Sequence, residues 1–225
     1  MLKISQKLLI IALGAFVIAC SGAKQQEATE ENVTTTEETS STAMALEDGT
    51  YTIDPATSQL EWVGKKVTGQ HNGTIDVSEG AVMVSNGVIS GGSFTIDLNT
   101  IKALDLKDDP ETQAKLEGHL KSGDFFSVEV SPVSTFEITS VSEATEGDAT
   151  HVITGNLTIK NITNEVQVPV TVSAENGVIS TKGTVMLDRT KWDMMFRSGL
   201  EQFADKTIDD EFEVTIDLKA SKTQA

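Results

Sequence analysis

Only one cysteine, Cys20, occurs in the chain, so no disulfide can form within it. Histidine is nearly as scarce. His71, His119 and His151 stand far apart, without the short spacings that bring two imidazoles onto one metal ion. Each reads as a surface or hydrogen-bonded histidine. Positive charge is short as well: Lys and Arg number 17 against 34 Asp and Glu, a formal charge of −17. Such a chain repels phosphate backbones, which argues against nucleic acid as a partner. "DLKDDPE" is acidic but lacks the glycine and glutamate of a calcium loop. "GGSFT" lacks the final glycine of a nucleophile elbow. No apolar run reaches the roughly 20 residues needed to cross a bilayer core.

The start of the chain is informative despite that. Lys3 and Lys7 precede a run from Leu8 to Ala19 with no charged residue, the pattern of a secretory signal. The run ends in "VIAC", which resembles the bacterial lipoprotein cleavage box. The resemblance implies cleavage before Cys20, a signal peptide over residues 1–19 and lipidation of the Cys20 sulfur. Cleavage removes two lysines and no acidic residue, so the mature chain is more acidic still. Anionic lipid heads would repel it, and the membrane hold must come from acyl chains, worth about 0.8 kcal/mol per buried methylene. Ser21 follows where an aspartate would imply inner-membrane retention, which points to a cell-envelope location on the outer membrane. Residues 20–48 hold six threonines and six glutamates and no aromatic residue. They cannot bury enough apolar surface to offset ordering entropy, and are expected to be a disordered tether.

What remains, residues 49–220, suits one all-β unit, with 221–225 as a tail. Its dominant period is two. In "EVQVPVTVS", Val166, Val168, Val170 and Val172 fall on one face. In "DEFEVTIDLKA", Phe212, Val214, Ile216 and Leu218 alternate with polar residues. Phe94, Ile96 and Leu98 form a third comb, and Ile153, Leu157 and Ile159 a fourth. Asn86-Gly87 and Asn176-Gly177 lie between such runs and signal tight hairpins, because both central residues of a type I′ turn need positive φ. One helix is expected in "DDPETQAKLEGHLK", with Asp109 as N-cap, Pro110 at the first position and a face of Gln113, Leu116 and Leu120. Gly118 weakens its middle. A weaker helical or loop segment is expected around 198–206. Strands with one apolar face need closure or a second sheet, and about eight antiparallel strands close around room for one small ligand.

Four ordered motifs carry a resemblance: "YTIDPATSQLEW", "GHLKSGDFFSVEVSPVSTFEI", "ITGNLTIKNITNEVQVPV" and "LDRTKWDM". Together they resemble the YceI-like domain family across roughly residues 49–220. Asn161 stands where that family usually has glycine, and Asn156 where it has aspartate. The resemblance implies an antiparallel, eight-stranded, extended lipocalin-like barrel with a short helix, whose apolar cavity binds a polyisoprenoid or similar lipid, with no other cofactor.

Candidate cavity residues are then Trp62, Phe94, Phe136, Leu157, Val168 and Val170 on strands. Phe125 and Phe126 follow the helix; read as an extended segment, they point opposite ways. Trp192 and Phe196 lie late in the domain. Arg189 is placed either over the Trp192 ring as a cation–π pair or in a plain Asp188–Arg189 corner. Two readings stay open. One is a membrane-tethered binder of an isoprenoid such as a quinone or polyprenyl carrier. The other is a packed barrel acting as a surface interaction or stress protein. A second copy of the chain is a further candidate partner, and an enzyme is a distant third reading.

Overall fold

The computed structural model describes residues 46–199 and 206–224. The signal, Cys20 and nearly all of the tether lie outside them, as does most of the 198–206 segment. The strands are β1 (Gly49–Ile53), β2 (Gln59–Lys66), β3 (Gly69–Ser85), β4 (Val88–Ala103), β5 (Val133–Glu143), β6 (His151–Ile159), β7 (Ile162–Glu175), β8 (Val178–Asp188) and β9 (Ile208–Lys222). One helix, α1 (Pro110–Lys121), joins β4 to β5, and a 3₁₀ turn, Arg189–Trp192, follows β8.

All pairings are antiparallel, and β3 pairs with both β2 and β4, which closes the ladder. The nine segments fill eight positions, because β1 and β2 lie one after the other between β3 and β9. They are one strand interrupted at Asp54–Ser58. There the Asp54 carboxylate accepts from Ala56 N at 3.0 Å and from Thr57 Oγ1 at 2.8 Å. The result is a closed eight-stranded barrel with one short helix, as the strand combs and the family resemblance predict.

The two ends of the barrel differ. One carries the two Asn-Gly turns and the seven-residue β5–β6 loop, 144–150. Asn86 (φ 55°) with Gly87 (φ 76°), and Asn176 (φ 52°) with Gly177 (φ 77°), take the positive φ values that their sequence signals. The chain also enters the barrel here, at Gly49. The other end carries the two long connections, α1 with its following loop and the β8–β9 connection that opens on the 3₁₀ turn, together with the two-residue β2–β3 and β6–β7 turns. In the β6–β7 turn, Lys160 (φ 51°) and Asn161 (φ 61°) are both left-handed. Asn161 thus takes the conformation that suits the glycine usual at this place, which asparagine tolerates better than most residues.

Helix α1 is continuous through Gly118. Asp109 caps it, accepting from Thr112 N at 3.1 Å. Its role in the fold follows from β4, whose pairing with β5 stops at Asp97↔Val133. Beyond that point the β4 edge would be bare. Gln113 Nε2 donates to Ala103 O at 2.8 Å and Glu117 Oε1 accepts from Ala103 N at 3.1 Å, so helix side chains replace the missing strand.

Glycine leaves room for aromatic rings on the inner wall. A Cβ on Gly155 would sit 2.3 Å from Phe136 Cζ and 2.6 Å from the Glu137 carbonyl oxygen. Gly155→Ala is therefore expected to destabilise the barrel by about 1–3 kcal/mol, the usual cost of overpacking. Urea denaturation checks this, and an unchanged midpoint would show that the Phe136 ring and the β5 backbone at Glu137 both give way freely.

Candidate functional site

Inside the barrel lies one long cavity of about 250 Å³. Its floor, at the short-turn end, includes Ile53, Ile89, Ile179 and Ala220, all buried. Its wall continues to Asp209 on β9, about 36 Å along the strand at roughly 3.3 Å per residue. Half-exposed His71 and exposed Lys65 and Lys66 also line it, so it opens at the connection end.

Strand parity builds the wall. On β2 the inward positions are Leu60, Trp62, Gly64 and Lys66, facing Ile75, Gly73, His71 and Gly69 of β3. The column is apolar until its last two steps, where Lys66 and His71 turn it polar. Val166, Val168 and Val170 line the cavity together, as do Phe212, Val214, Ile216 and Leu218, Phe94, Ile96 and Leu98, and Ile153, Leu157 and Ile159. The inward faces of the four combs are those that the alternation predicts. Phe94 and Phe136 meet across β4 and β5, with ring centroids 5.3 Å apart. Trp62 keeps its ring on the wall while its Nε1 donates to Thr74 O at 3.3 Å.

Trp62, Phe94, Phe125, Phe126, Phe136, Leu157, Val168 and Val170 therefore all lie on the cavity wall. Phe125 and Phe126 do so together and not on opposite faces. The segment after α1 is a turn and not a strand: Phe125 N donates to Ser122 O and Phe126 N to Leu120 O, both at 3.1 Å. Alternation does not apply to a chain that curls back on a helix end.

Trp192 and Phe196 stand behind the wall. β7 and β8 pair only from Val170↔Gly183 to Glu175↔Val178, and then part. Trp192 is fully buried and donates to Leu157 O at 3.2 Å. It borders a separate cleft of about 150 Å³ at this parting, with Val166, Val185 and Leu187. Phe196 stacks edge-on against His119 at 4.6 Å and lies 5.7 Å from Phe125.

The Arg189–Trp192 cation–π pair is not formed; among the described residues the cation over a ring is Arg197, 5.0 Å from the Phe196 centroid. Arg189 is buried and makes neither a stack nor a simple corner. Its guanidinium donates to the carbonyls of Met194, Asp209 and Ile208 and to the Asp210 carboxylate. Asp188 instead caps the 3₁₀ turn through Thr190 N at 3.0 Å. Arg189 thus clamps both sides of the β8–β9 connection at the cavity's open end. Burial lowers its pKa, against the raising influence of Asp210, Asp188 and Asp209.

The histidines are locally satisfied. His71 Nδ1 lies 2.8 Å from Asp105 Oδ2, and His71 Nε2 lies 3.4 Å from Lys66 Nζ. Burial pushes the Asp105 carboxyl up, but hydrogen bonds from His71 and the Asn72 N–H outweigh it and hold the group below the ordinary carboxylate range. His119 meets Asp124 at 3.0 Å and His151 meets Thr150 at 2.8 Å. Among the described residues no cluster of three His, Cys, Asp or Glu side chains could hold a metal ion.

A closed antiparallel barrel with an apolar cavity along its axis belongs to the lipocalin-like class. The model of the YceI-like domain family matches residues 51–220, and the chain belongs to that family. Burkholderia cenocepacia BcnA superposes with a TM-score of 0.60 at 23% identity, over 75% of this chain and 99% of its own. A polyisoprenoid binding domain from Saccharophagus degradans, implicated in plant cell wall breakdown, superposes at 0.55 and 13% identity over 79% and 100%. These likenesses show the fold. A UPF0312 protein of Pseudomonas aeruginosa is 39% identical over 90 residues, which span 37% of this chain and 44% of the relative's length.

Arg189→Met is expected to cost about 2–4 kcal/mol: the buried Met194 carbonyl left bare costs about 1–3 kcal/mol, and the other three acceptors, only partly buried, regain water and add little. Equilibrium unfolding in urea reads this directly. A wild-type midpoint would mean that the β8–β9 connection is held by other contacts.

Proposed function

We propose that the protein is a membrane-tethered lipid binder that holds a polyisoprenoid or similar amphiphile, such as a quinone or polyprenyl carrier, in its barrel. The observation that carries this reading is the continuous hydrocarbon wall from Ala220 to Phe212, met by the valine comb of β7 and the phenylalanines of β4 and β5. Each methylene transferred from water to such a wall gains about 0.8 kcal/mol, so a long chain is the ligand class that uses it fully. The polyisoprenoid-binding relative of the same fold supports the choice of chain. A binding role fits the side-chain chemistry better than catalysis. Ser134, the buried hydroxyl on the wall, is already committed to Thr158 O at 2.7 Å.

Tethering is the second part of the proposal. Lipidation of Cys20 holds the barrel at the cell envelope, on the outer membrane in preference to the inner, with residues 21–48 as the leash. In cells fed a fatty-acid analogue, the wild-type chain should be labelled and Cys20→Ser should not. Equal labelling of both would remove the anchor from the reading.

Cavity occupancy is tested by Val170→Trp. Val170 is buried on the wall, and an indole there takes the ligand's room. The lipid-free variant should keep most of its stability while uptake of a polyprenyl probe falls sharply. Val170→Ala should leave uptake largely intact, and Thr171→Trp, on the outer face, should leave it unchanged. Destabilisation by about 1–3 kcal/mol or more, with no uptake even by the wild type, would favour the packed barrel and the interaction-protein reading.

A further inference from the structure

The open end of the barrel carries apolar side chains that the fold leaves exposed. Val67 (57%), Leu104 (42%), Val130 (77%) and Met195 (55%) are prominent, and Val133 and Ile162 join them. All six lie on or beside the long connections or the two turns of that end.

Hydrogen bonds link these connections into a ring. Leu104 N donates to Asn72 O, beside the β2–β3 turn, and Val67 N donates to Thr207 O. Ile208 N donates to Arg197 O, next to Met195. Lys160 Nζ donates to Asp193 O at 2.7 Å, and Asn161 Nδ2 to Ser131 Oγ at 3.1 Å, which ties the β6–β7 turn to the loop of Val130. The apolar tips therefore surround the cavity mouth.

Charge is arranged along the same axis. Among the described residues, Lys182, Lys219 and Lys222 are the only cations on the body and short-turn end. Every other lysine and arginine falls at the connection end. Carboxylates occur there too: Asp105, Asp193 and Asp210 face His71, Lys160 and Arg189 respectively, while exposed Asp108 and Glu129 have no cation within ion-pair distance among the described residues. Among the described residues no carboxylate lies within ion-pair distance of Lys65 or Lys66. On a chain of charge −17, this end has mixed sign, and the rest of the barrel would be repelled from anionic head groups.

We propose that this rim is a membrane-docking surface, on which the barrel stands mouth-down on a lipid bilayer, with apolar tips in the head-group boundary and lysines at the phosphates. The surface is defined by the rim alone and does not depend on what the cavity holds. An anchor at Cys20 permits it: the chain enters the barrel at the opposite end, and 29 residues from Cys20 to Asp48 span at most about 95–105 Å at 3.3–3.6 Å each.

The test uses the full chain reconstituted in phosphatidylcholine vesicles, with and without phosphatidylglycerol, whose acyl chains are brominated. A tryptophan introduced by Val130→Trp or Val67→Trp should lose on the order of half its emission relative to unbrominated vesicles. The loss should be greater with the anionic lipid. Val88→Trp, equally exposed but at the short-turn end, should be unaffected. Adding Val67→Glu and Met195→Glu to Val130→Trp should abolish the loss without moving the melting temperature. Unquenched rim tryptophans, or quenching at Val88→Trp alone, would overturn the proposal. Rim tryptophans shielded from both water and bromine, in a chain that sediments as a dimer, would overturn it in favour of a second copy covering the rim.

Discussion

Closure of the ladder through β3 is the constraint on which the rest depends. An open sheet with these sequences would have two faces and two bare edges. Because β3 pairs with both β2 and β4, alternation along every strand becomes a choice between inside and outside. The inner face must then be apolar or enclosed polar, and it must also leave space. Gly73 and Gly155 show how space is divided: a Cβ at either would run into the neighbouring strand's carbonyl oxygen, of Lys102 or Glu137, and into the Trp62 or Phe136 ring. What is left over is the cavity. Its shape is a consequence of parity, strand length and a few glycines.

The parts of this arrangement that obey a period were legible in the sequence. The valines of β7 and the Phe212–Leu218 comb of β9 announce their inward faces because a one-residue slip would turn each comb to solvent. The Asn-Gly turns are legible for a different reason, since few other residues accept φ near +55°. Where local rules run out, the reading fails in identifiable ways. Phe125 and Phe126 were assigned opposite directions by a rule for extended chain, and the helix end curls them both inward. The turn at Lys160 gives no signal because lysine is not a residue chosen for positive φ; its Nζ bond to Asp193 O helps hold it there. Arg189 reads as a surface cation in any one-dimensional view, yet it is buried, because the carbonyls it serves come from two segments close in space and up to 20 positions distant in sequence.

The two ends of the barrel solve different problems. Short turns need few residues and leave little backbone to satisfy, so the short-turn end can be sealed by buried side chains such as Tyr51, Val84 and Ile179. Long connections bring many backbone groups to the other end, and each needs a partner. The helix supplies Gln113 and Glu117 to the β4 edge, and Arg189 supplies its fork to the β8–β9 connection. These are polar solutions at the place where an apolar cavity opens. A head group arriving there would meet donors and acceptors that are largely spoken for, while Lys65 and Lys66, the lysines lining the cavity, have no carboxylate within ion-pair distance among the described residues.

On the proposed function, that asymmetry bears on how a ligand would enter and leave. A ligand sealed in hydrocarbon leaves only through the end where the wall is interrupted, and the interruption is made of loops and not of ladder. Ladder hydrogen bonds open together, since each strand is paired on both sides. A connection held by single side-chain contacts opens piecemeal, at lower cost. Phe125 illustrates the point: it lines the cavity, yet its support is a turn, a T-shaped contact to His119 at 5.0 Å and a second ring at Phe196. Displacing it breaks no strand pairing. The barrel thus keeps rigidity where the chain of a ligand would lie, and confines compliance to the end through which that ligand would pass.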